Sequence, residues 1–533
     1  MDEAEGPATI SALINQREQD RGSHPAIITN SDSLTYGELA ERSARLARAF
    51  IGVGAGKGTR IALLAPDGID WVVTYLAALR IGALLTTVST LSTAQELAHI
   101  IRNSDCQHLI AARRFLGHDF ASKLEQALPR LSQAPAGELR LADAPHLRAI
   151  WLDDAREIGW AKSWTDLNDT TDLPDAALLS AVEADVSPAD DAVVVYTSGS
   201  TARPKAVVHR HWALVRHSRV LADQFALTPD DRMMPLLPAF WLAGMSMMMQ
   251  VLTIGATLVY PDVPENDHIL DLIGRLGVTR VNAWGDRQVQ LVRAASERGL
   301  CLDHIPDLVP ARDAQGRPLP LVPPSYGMTE SCSAHSAWPM NVAVPDGKEG
   351  SFGIAIDGYE RRVVDPESGR ERAVGEVGEL QIRGPALMSG FYGLPGSEVF
   401  TPDGFYPTKD LVRIDADGFL YPAGRISDMI KTRGANVSRL EVEAALNAHL
   451  SVHTSVVAGL PDEELGEMVV AAVVLSDGSE TDEGSLREAL RDRLSSFKVP
   501  RRIVFIQEEE IPRTATGKVK LSEVADMIAK RIG

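Results

Sequence analysis

Residues 196–205 form a short segment that is rich in hydroxyl side chains and ends in a lysine. The segment begins at Tyr196, continues Thr-Ser-Gly-Ser-Thr-Ala-Arg-Pro and ends at Lys205, directly after the apolar run 192–195. Backbone N–H groups and hydroxyls in such a loop can surround phosphate oxygens, and a lysine can neutralise part of their charge. Although the segment does not fit the common P-loop pattern, it favours phosphate binding over a plain polar surface loop.

Four further segments carry residue types that suit nucleotide chemistry. They span residues 325–330, 403–410, 424–443 and 512–518. A carboxylate at Glu330, just after a glycine turn, could hold Mg²⁺ between phosphates, and one at Asp410 could accept both hydroxyls of a ribose. Lys518 lies in a glycine-containing segment from which it could reach a phosphate. Taken singly, each of these three side chains is better explained as a solvated charge or a turn-stabilising carboxylate.

The composition narrows the classes of function. The chain has 533 residues, a net charge of -19 and 45% apolar residues, which is ordinary for a globular protein of roughly three or four structural units. The acidic excess argues against a broad nucleic-acid-binding face, since phosphate backbones require clustered Lys and Arg. It does not exclude a small anionic ligand, because a local cradle can overcome the global charge.

Cysteine usage and hydropathy favour a cytoplasmic protein. Cys106, Cys301 and Cys332 are far apart and odd in number, which favours neither a disulfide framework nor a metal site and fits a reducing compartment. Residues 1–13 begin acidic and lack a sustained apolar core, so no signal peptide is expected. The apolar stretch 233–260 is interrupted by Pro and Gly, which predicts buried structure and not a membrane span.

Alternating helix and strand patterns predict α/β layers in the first part of the chain. A helix is predicted from Thr35 to Phe50, with Thr35 as its N-cap and Glu38 completing a capping box. Strands are predicted at 60–65, 83–88 and 192–196, and helices at 69–79 and 212–225. Such alternation is typical of parallel sheets covered by helices.

Two later regions have a different character. Residues 375–420 contain short strand patterns punctuated by Gly and Pro, which predicts a small β-rich subdomain. From Arg425 onward the pattern is α+β, with predicted helices at 437–449 and 484–494 and predicted strands at 454–459 and 469–475. This part of about a hundred residues has a suitable size for a small domain. The predicted domains are therefore 1–424 and 425–533.

In this order and spacing, the five segments resemble the adenylate-forming superfamily, which includes acyl-CoA synthetases, adenylation domains of peptide synthetases and firefly-type luciferases. The resemblance extends from about Ser33 to Lys520 and is greatest to acyl-CoA synthetases. It implies an α/β fold in which a large multi-layer N-terminal region, with βαβ subdomains and a small β-rich subdomain, carries a mobile α+β C-terminal domain. ATP and Mg²⁺ would bind between the two, and CoA would be the second substrate.

The resemblance also implies roles for individual residues. The β- and γ-phosphates would be held by Thr197, Ser198, Gly199, Ser200, Thr201 and Lys205. The rest of the nucleotide would be contacted by Tyr326 and Gly327 near adenine, Asp410 at the ribose, Arg425 at the ribose or a phosphate, and Thr329 at the α-phosphate. Glu330 would bind Mg²⁺, and Lys518 would bridge the acid and the α-phosphate.

The implied chemistry has two steps. The substrate carboxylate attacks the α-phosphorus and pyrophosphate leaves, so Mg²⁺ and lysines are needed to offset the repulsion between two anions. A thiol then displaces AMP from the mixed anhydride. Between the steps the C-terminal domain would rotate about Ser427, so that Lys518 leaves the site and the loop around Gly434 lines a pantetheine tunnel.

Residues 237–244 suggest where the acid would bind. Members of the superfamily commonly have an aromatic–His pair here, and this chain has Phe240 and Trp241. Together with Met245 and Trp284, they predict a roomy apolar pocket. Ordinary core packing explains the same residues equally well, since methionine readily fills irregular gaps.

The chain departs from the superfamily pattern at several positions. Alanine replaces the usual glycine at Ala202 and Ala206, which would cost on the order of 1 kcal/mol wherever the backbone requires a positive φ. Lys409 replaces another glycine, and Ser427 replaces the more usual Asp or Lys. The Gly-Gly-Ala segment that normally backs the adenine is not recognisable within 302–325, so no adenine contact is assigned there.

Three functions remain open. The favoured one is an AMP-forming ligase that joins a hydrophobic carboxylic acid to CoA, as in fatty acid metabolism. The second is an enzyme that adenylates an acid and loads it in trans onto the pantetheine thiol of a carrier protein. The third is a degenerate nucleotide-binding homologue without catalysis, motivated by Ala202, Ala206 and Lys409. A nucleic-acid partner and a membrane span are expected for none of them.

Overall fold

Helices are distributed along the whole chain in the structure, a computed structural model that describes residues 6–135, 137, 139–197, 204–283, 286–309, 324–366, 368–425, 429–513 and 519–532. The α-helices are α1 (Ile10–Arg21), α2 (Tyr36–Gly52), α3 (Ile69–Arg80), α4 (Ala94–Asn103), α5 (Phe120–Ala127), α6 (Trp164–Asn168), α7 (Ala176–Asp185), α8 (Ser218–Gln224), α9 (Leu242–Ile254), α10 (Asn266–Leu276), α11 (Asp286–Glu297), α12 (Arg439–Asn447), α13 (Glu483–Arg491) and α14 (Leu521–Ile532).

Strands alternate with these helices. Up to residue 282 they are β1 (Pro25–Ile28), β2 (Ser33–Thr35), β3 (Arg60–Leu64), β4 (Leu84–Thr87), β5 (His108–Ala111), β6 (Arg114–Phe115), β7 (His118–Asp119), β8 (Ala149–Leu152), β9 (Lys162–Ser163), β10 (Asp191–Thr197), β11 (Lys205–Arg210), β12 (Arg232–Pro235), β13 (Thr257–Val259) and β14 (Arg280–Asn282). Later strands are β15 (Ser325–Met328), β16 (Ser333–Ala337), β17 (Ile354–Ala355), β18 (Glu360–Val364), β19 (Val377–Arg383), β20 (Gly390–Phe391), β21 (Tyr406–Ile414), β22 (Leu420–Arg425), β23 (Met429–Thr432), β24 (Ala435–Ser438), β25 (Val452–Asp462), β26 (Gly466–Leu475) and β27 (Arg502–Phe505).

Helix α2 begins where its capping residues predict. The Glu38 N–H donates to Thr35 Oγ1 at 3.2 Å, and the Thr35 N–H donates to the Glu38 carboxylate at 2.8 Å. These two bonds satisfy N–H groups that a first helical turn leaves without helical partners. Leu39, Leu46 and Phe50 are buried on one face, so the predicted amphipathic helix is confirmed.

Two layered sheets form the core of the N-terminal region. Their strand orders are β14-β12-β13-β1-β2 and β20-β11-β10-β4-β3-β5-β8-β9. The pairs β3–β4, β4–β10, β12–β13 and β12–β14 are parallel, and helices cover the strands, so residues 61–64 and 192–195 are buried on both faces. The predicted α/β fold is therefore confirmed, and the carboxyl ends of these strands form an edge at which ligands commonly bind.

The β-rich region is an antiparallel sheet with the order β18-β19-β21-β22. Its inward-facing residues Leu380, Ile382, Val412 and Leu420 are buried. Strand β20 leaves this region and pairs antiparallel with β11 as the edge strand of the eight-stranded sheet. This pairing ties the β-rich region to the strand that begins at Lys205.

The residues after β22 form an α+β unit. Its sheet has the order β24-β23-β26-β25, with β27 parallel to β26. Helices α12 and α13 pack on one face of the sheet and α14 packs on the other. The helices predicted at 437–449 and 484–494 and the strands predicted at 454–459 and 469–475 correspond to α12, α13, β25 and β26. The boundary predicted between residues 424 and 425 falls at the end of β22 and stays a prediction.

The apolar stretch 233–260 is buried inside the N-terminal region. It forms β12, α9 and β13, and most of its side chains are less than a tenth exposed. The helix predicted at 212–225 begins with a π-helical turn at Ala213–His217 before α8. In the part of the chain that the structure describes, no helix is both long and apolar enough to cross a lipid bilayer.

Candidate active site

A cavity of about 500 Å³ opens at the carboxyl ends of the parallel strands. Residues at or just after those ends line one side of it, among them Thr87, Thr197, Leu237 and Asn282. Strand β15 supplies a second wall through residues 325–328. The C-terminal unit supplies a third, through Lys431, Gly434, Ala435, Ser495, Phe497 and Lys498. The cavity therefore lies between the N-terminal region and the C-terminal unit.

Lys205 stands at the start of β11, directly opposite Thr197 at the end of β10. Its ammonium lies 4.8 Å from the ring centroid of Phe391. Burial and the charge of Lys409 lower the pKa of Lys205, and the Glu330 carboxylate opposes this shift. The predicted phosphate-binding residues that lie outside the described residues are Ser198, Gly199, Ser200 and Thr201, together with the neighbouring Ala202.

Ala206 and Lys409 each replace a glycine that is usual in the superfamily, and the two replacements have different consequences for the backbone. Ala206 pairs with Tyr196 in the ladder between β10 and β11 and does not have a positive φ, so the alanine causes no strain there. Lys409 has a φ of 63°, a left-handed conformation that costs a non-glycine residue about 1–2 kcal/mol. The Lys409 N–H donates to Glu379 Oε1 at 3.1 Å, which helps to hold the residue in this conformation.

The segment 325–330 forms β15 and the tight turn that follows it. Gly327 has to be glycine, because a Cβ atom at this position would lie 2.2 Å from the Ser333 carbonyl oxygen. The Tyr326 ring packs edge-on against Phe352 with centroids 5.4 Å apart. Tyr326, Gly327 and Thr329 line the cavity, and the Tyr406 hydroxyl donates to Glu330 Oε1 at 3.3 Å.

Three buried histidines support this segment from behind. His209 Nε2 lies 2.8 Å from the carbonyl oxygen of Thr329, and His217 Nε2 lies 2.8 Å from that of Ala334. The His335 ring packs edge-on against Tyr326 at 5.7 Å. Burial lowers the pKa of His209 and of His217 to about 4 and the pKa of His335 to about 3. All three are therefore neutral at pH 7.

We expect mild acid to destabilise the protein through these histidines. Their folded-state pKa values lie below the unfolded value of about 6.5, so the unfolded state binds more protons between about pH 4 and 6.5. Their contribution is complete above pH 6.5 and is lost as the pH falls, by roughly 1–2 kcal/mol per histidine between pH 7 and 5. Urea unfolding at pH 7, 6 and 5 measures this slope. His209→Gln keeps an N–H donor but does not titrate. It should therefore reduce the dependence of the free energy of unfolding on pH by the share of one histidine. A free energy of unfolding that does not change from pH 7 to 5 would contradict the prediction.

Asp410 lies on β21 and is 1% exposed. Its Cα partner across the ladder is Arg425 at the end of β22, and its own N–H donates to Thr408 Oγ1 at 3.1 Å. The structure thus brings Asp410 and Arg425 together on neighbouring strands. Their contacts with ribose and phosphate stay predictions.

The aromatic pair Phe240 and Trp241 lines the cavity. The two rings meet nearly edge to face with centroids 5.4 Å apart. Trp241 also packs edge-on against Phe497 of the C-terminal unit at 6.2 Å. Trp284, the other aromatic residue predicted for the pocket, lies outside the described residues.

The prediction that Met245 lines the acid pocket is corrected by its position on α9. The residues of this helix that line the cavity are Leu242, Ala243, Met247 and Gln250. At about 100° per residue these four share one face, and Met245 lies on the opposite side, fully buried in the core. Met247 takes the place in the cavity wall that was predicted for Met245.

The loop around Gly434 reaches the cavity, and its predicted role in lining a pantetheine tunnel stays a prediction. Arg433 and Gly434 have φ values of 49° and 74° between the paired residues Thr432 and Ala435, which is the two-residue turn that favours glycine in β-hairpins. Gly434 and Ala435 line the cavity. The predicted hinge Ser427 and the predicted catalytic Lys518 lie outside the described residues.

Comparison with known proteins identifies the family. Residues 14–392 match the family model of AMP-binding enzymes, and residues 441–518 match the model of their C-terminal domain. The chain belongs to the AMP-binding enzyme family.

Relatives of this AMP-binding enzyme cover nearly its whole length. It is 30% identical to a 3-hydroxybenzoate/4-hydroxybenzoate–CoA ligase of Thauera aromatica over 96% of this chain and 95% of the relative. It is 26% identical to the mitochondrial medium-chain acyl-CoA ligase of Macaca fascicularis over 94% and 83% of the two chains. An amide bond synthetase from Marinactinospora thermotolerans has the same fold, with a TM-score of 0.79 and 24% identity over 97% and 99%.

These similarities establish the enzyme class. The protein is an AMP-forming acid–thiol ligase of the adenylate-forming superfamily, similar to acyl-CoA synthetases. AMP-binding CoA ligases use ATP and CoA as co-substrates, and the relatives act on small carboxylic acids. The resemblance predicted from the five segments is therefore confirmed.

Two groups of residues in this AMP-binding enzyme were missed by sequence analysis. The first joins Glu96 on α4 to Lys498 and Glu441 in the C-terminal unit. The capping pattern from Thr93 to Glu96 is visible in the sequence and caps α4, but no local pattern indicates a partner 402 positions away. The second group consists of polar side chains in the cavity wall: Gln250, Arg280, Asn282 and Asp307.

Proposed function

We propose that this enzyme adenylates a hydrophobic carboxylic acid and then transfers the acyl group to the thiol of CoA. The observation that carries the proposal is the single cavity that connects Thr197 and Thr329 with an apolar pocket and with the Gly434 hairpin. The same cavity thus contains residue types that suit phosphate, an apolar pocket for the acid and a wall beside which a thiol could enter. This arrangement fits two successive reactions of one acyl group.

The walls of the proposed acid pocket are mainly apolar. They are formed by Leu237, Phe240, Trp241, Leu242, Met247, Val281, Ala283 and Met340. An apolar acid tail that is buried there gains about 25 cal/mol per Å² removed from water. The relatives named for hydroxybenzoates and medium-chain acids support an acid with an aromatic ring or a short alkyl chain.

For the adenylation step we assign the phosphate groups to the strand-end residues. Lys205 and the hydroxyl loop would hold the β- and γ-phosphates, and Thr329 would contact the α-phosphate, while Lys518 would reach the acid. The neutral His209 fixes the Thr329 carbonyl at 2.8 Å, so the turn that presents Thr329 is held from behind. Positioning of this kind is the main way in which proteins accelerate phosphoryl and nucleotidyl transfer.

Glu330 fits a role as the protein ligand of Mg²⁺. This ion keeps several waters and takes one or two carboxylates together with phosphate oxygens, so a single carboxylate beside the phosphate site suffices. The Tyr406 hydroxyl donates to Glu330 Oε1, which orients the carboxylate. Glu330 also lies close enough to Lys205 to oppose the lowering of the lysine's pKa by burial. When bound, the ion would neutralise charge on the leaving pyrophosphate.

We assign the observed position of the C-terminal unit to the second step, in which the thioester forms. The Gly434 hairpin lines the cavity, and Phe497 packs on Trp241. A pantetheine arm that enters beside Gly434 would reach the acyl-adenylate without a rearrangement of the N-terminal region. The resemblance to adenylate-forming enzymes implies that Lys518 acts in the adenylation step with the same unit in a different position.

An acid panel tests the proposal. We expect pyrophosphate release that depends on an aryl or alkyl carboxylic acid and Mg²⁺, and acyl-CoA as the product when CoA is added. If the acyl group is transferred to the pantetheine arm of a carrier protein but not to free CoA, the carrier protein and not CoA is the acceptor. If no acid in the panel supports exchange of pyrophosphate into ATP, the proposal is contradicted and a non-catalytic nucleotide-binding protein is favoured.

A further inference from the structure

The inner part of the cavity wall is polar, although the walls around it are apolar. Gln250, Arg280, Asn282 and Asp307 all line the cavity. Asn282 ends β14 at the edge where the nucleotide segments lie, and Arg280 stands two residues earlier in the strand. At about 3.3 Å per residue, Arg280 therefore lies roughly 6–7 Å deeper. Phe225 and Met340 also line the cavity.

A buried ion pair forms the floor of this inner part. Arg280 Nε donates to Asp307 Oδ2 at 2.7 Å, and Arg280 Nη2 donates to Asp307 Oδ1 at 2.8 Å. The guanidinium also contacts the carbonyl oxygens of Phe225 and Ala226 and the sulfur of Met340, and its Nη1 lies 4.0 Å from Asp231 Oδ2. The Arg280 side chain is 6% exposed and that of Asp307 is 16% exposed. Arg280 is thus committed to its protein partners, whereas Asp307 keeps contact with the cavity.

Asp307 retains capacity to accept a hydrogen bond. Its Oδ2 accepts from Arg280 and from the Val281 N–H at 3.1 Å, while among the described residues its Oδ1 accepts only from Arg280. An ionised carboxylate offers about four acceptor positions. One position on Oδ1 therefore remains for a ligand. A carboxylate that forms an ion pair with Arg280 offers acceptor positions to a ligand, so it selects a hydrogen-bond donor.

Two carboxamides in the same wall have unused polar atoms. Gln250 is 2% exposed, and its Oε1 has no hydrogen-bond partner among the described residues; the same is true of Asn282 Oδ1. Burying such groups without partners costs roughly 1–3 kcal/mol each. A ligand with a polar group at this depth would remove part of that cost, whereas a purely apolar ligand would leave it in place.

We propose that the acid substrate carries a hydroxyl or amino group at the end remote from its carboxylate, and that Asp307 accepts a hydrogen bond from it with Gln250 and Asn282 nearby. This inference rests on the proposed function, because it assigns the far end of the same acid. A second carboxylate at that end is excluded, since it would meet the Asp307 charge while Arg280 is already engaged. An unsubstituted or methyl-substituted acid loses the donor that the site is built to accept.

Matched acids test the inference. Hydroxybenzoates and aminobenzoates are compared with the methylbenzoates of the same substitution pattern, ω-hydroxyalkanoates with alkanoates of equal length, and benzenedicarboxylates serve as the excluded class. We expect kcat/KM for pyrophosphate release to favour a donor-bearing acid over its methyl counterpart by on the order of ten- to a hundredfold in at least one pair. Dicarboxylates should be the poorest substrates.

Variants separate recognition from general damage. Asp307→Asn can donate as well as accept, so we expect the preference for donors to shrink and the relative rate with dicarboxylates to rise; mere misfolding would lower all acids together. Gln250→Met is similar in volume and keeps the ion pair intact, and it should reduce the preference severalfold. Met248→Leu is the control, because Met248 is fully buried on the same helix and faces away from the cavity.

Direct binding distinguishes failure of the inference from failure of the proposed function. Calorimetry with the same acids gives dissociation constants that do not depend on adenylation. Tighter binding of a donor-bearing acid without pyrophosphate release would overturn the proposed function and leave the inference standing. Adenylation or binding that is equal within every matched pair would overturn the inference and leave the proposed function standing.

Discussion

Replacing Lys498 with methionine is expected to slow thioester formation on the order of a hundredfold or more while acid-dependent pyrophosphate release continues. Lys498 Nζ lies 2.9 Å from Glu96 Oε1 in the N-terminal region and 2.7 Å from Glu441 Oε1 in the C-terminal unit. Burial lowers the pKa of Lys498, but the two carboxylates outweigh it and hold that pKa above its ordinary value. Methionine would leave two buried carboxylates facing each other, at a cost on the order of 3–5 kcal/mol.

The enzyme can escape that cost without unfolding, because Glu96 and Glu441 belong to different units. Moving the C-terminal unit away exposes both carboxylates to water, and it also withdraws the Gly434 hairpin from the cavity. We therefore expect the rate of thioester formation from pre-made acyl-AMP to fall by on the order of a hundredfold or more, which corresponds to about 3 kcal/mol. Separate assays of the two half-reactions, with radius of gyration from small-angle scattering, measure the effect.

Two further variants control for charge and for folding. Lys530→Met removes an exposed lysine from α14 and should change neither half-reaction. Adding Glu96→Gln to Lys498→Met removes one of the two facing charges and should restore part of the thioester rate. Equal loss of both half-reactions in Lys498→Met would show that the ion pair stabilises the whole fold and does not select a position of the C-terminal unit.

The features that the sequence predicts well are those in which the cause lies within a few residues. The capping box at Thr35 and Glu38 sets the start of α2, and the apolar run 192–195 is buried as a strand that delivers Thr197 to the cavity. Likewise, a lysine in place of glycine at 409 marks a position whose φ is positive in the structure. Local chemistry determines each of these features, so a local pattern is sufficient to find it.

Features that depend on distant partners or on the choice of a helix face could not be predicted. Helix α9 is apolar on nearly every side, so periodicity could not show that Met247 faces the cavity and Met245 the core. No local pattern marks Lys498 as buried, because its partners Glu96 and Glu441 come from two different units. Arg280 and Asp307 were missed for a related reason, since a charged pair in an apolar wall is visible only when the fold brings the two together.

Replacing Lys518 with alanine is expected to have the opposite effect to Lys498→Met. The resemblance to adenylate-forming enzymes implies that Lys518 bridges the acid and the α-phosphate, where it would stabilise charge in the transition state of adenylation. Removing one such donor reduces the rate by on the order of a hundred- to a thousandfold. Thioester formation from pre-made acyl-AMP should be largely retained, because the Gly434 hairpin occupies the cavity in that step. Both half-reactions are measured with the same acid.

Lys520→Ala is the matched control for this variant. Lys520 lies two residues further along, and its ammonium pairs with Glu523 at 2.7 Å, so its removal changes the local charge equally without touching the reaction. The two lysine variants together test whether one cavity serves two positions of the C-terminal unit. If that unit alternates, Lys518→Ala and Lys498→Met must each impair a different half-reaction, and the double variant must impair both. If either single variant impairs both half-reactions equally, a fixed arrangement of the two units explains the enzyme better than rotation.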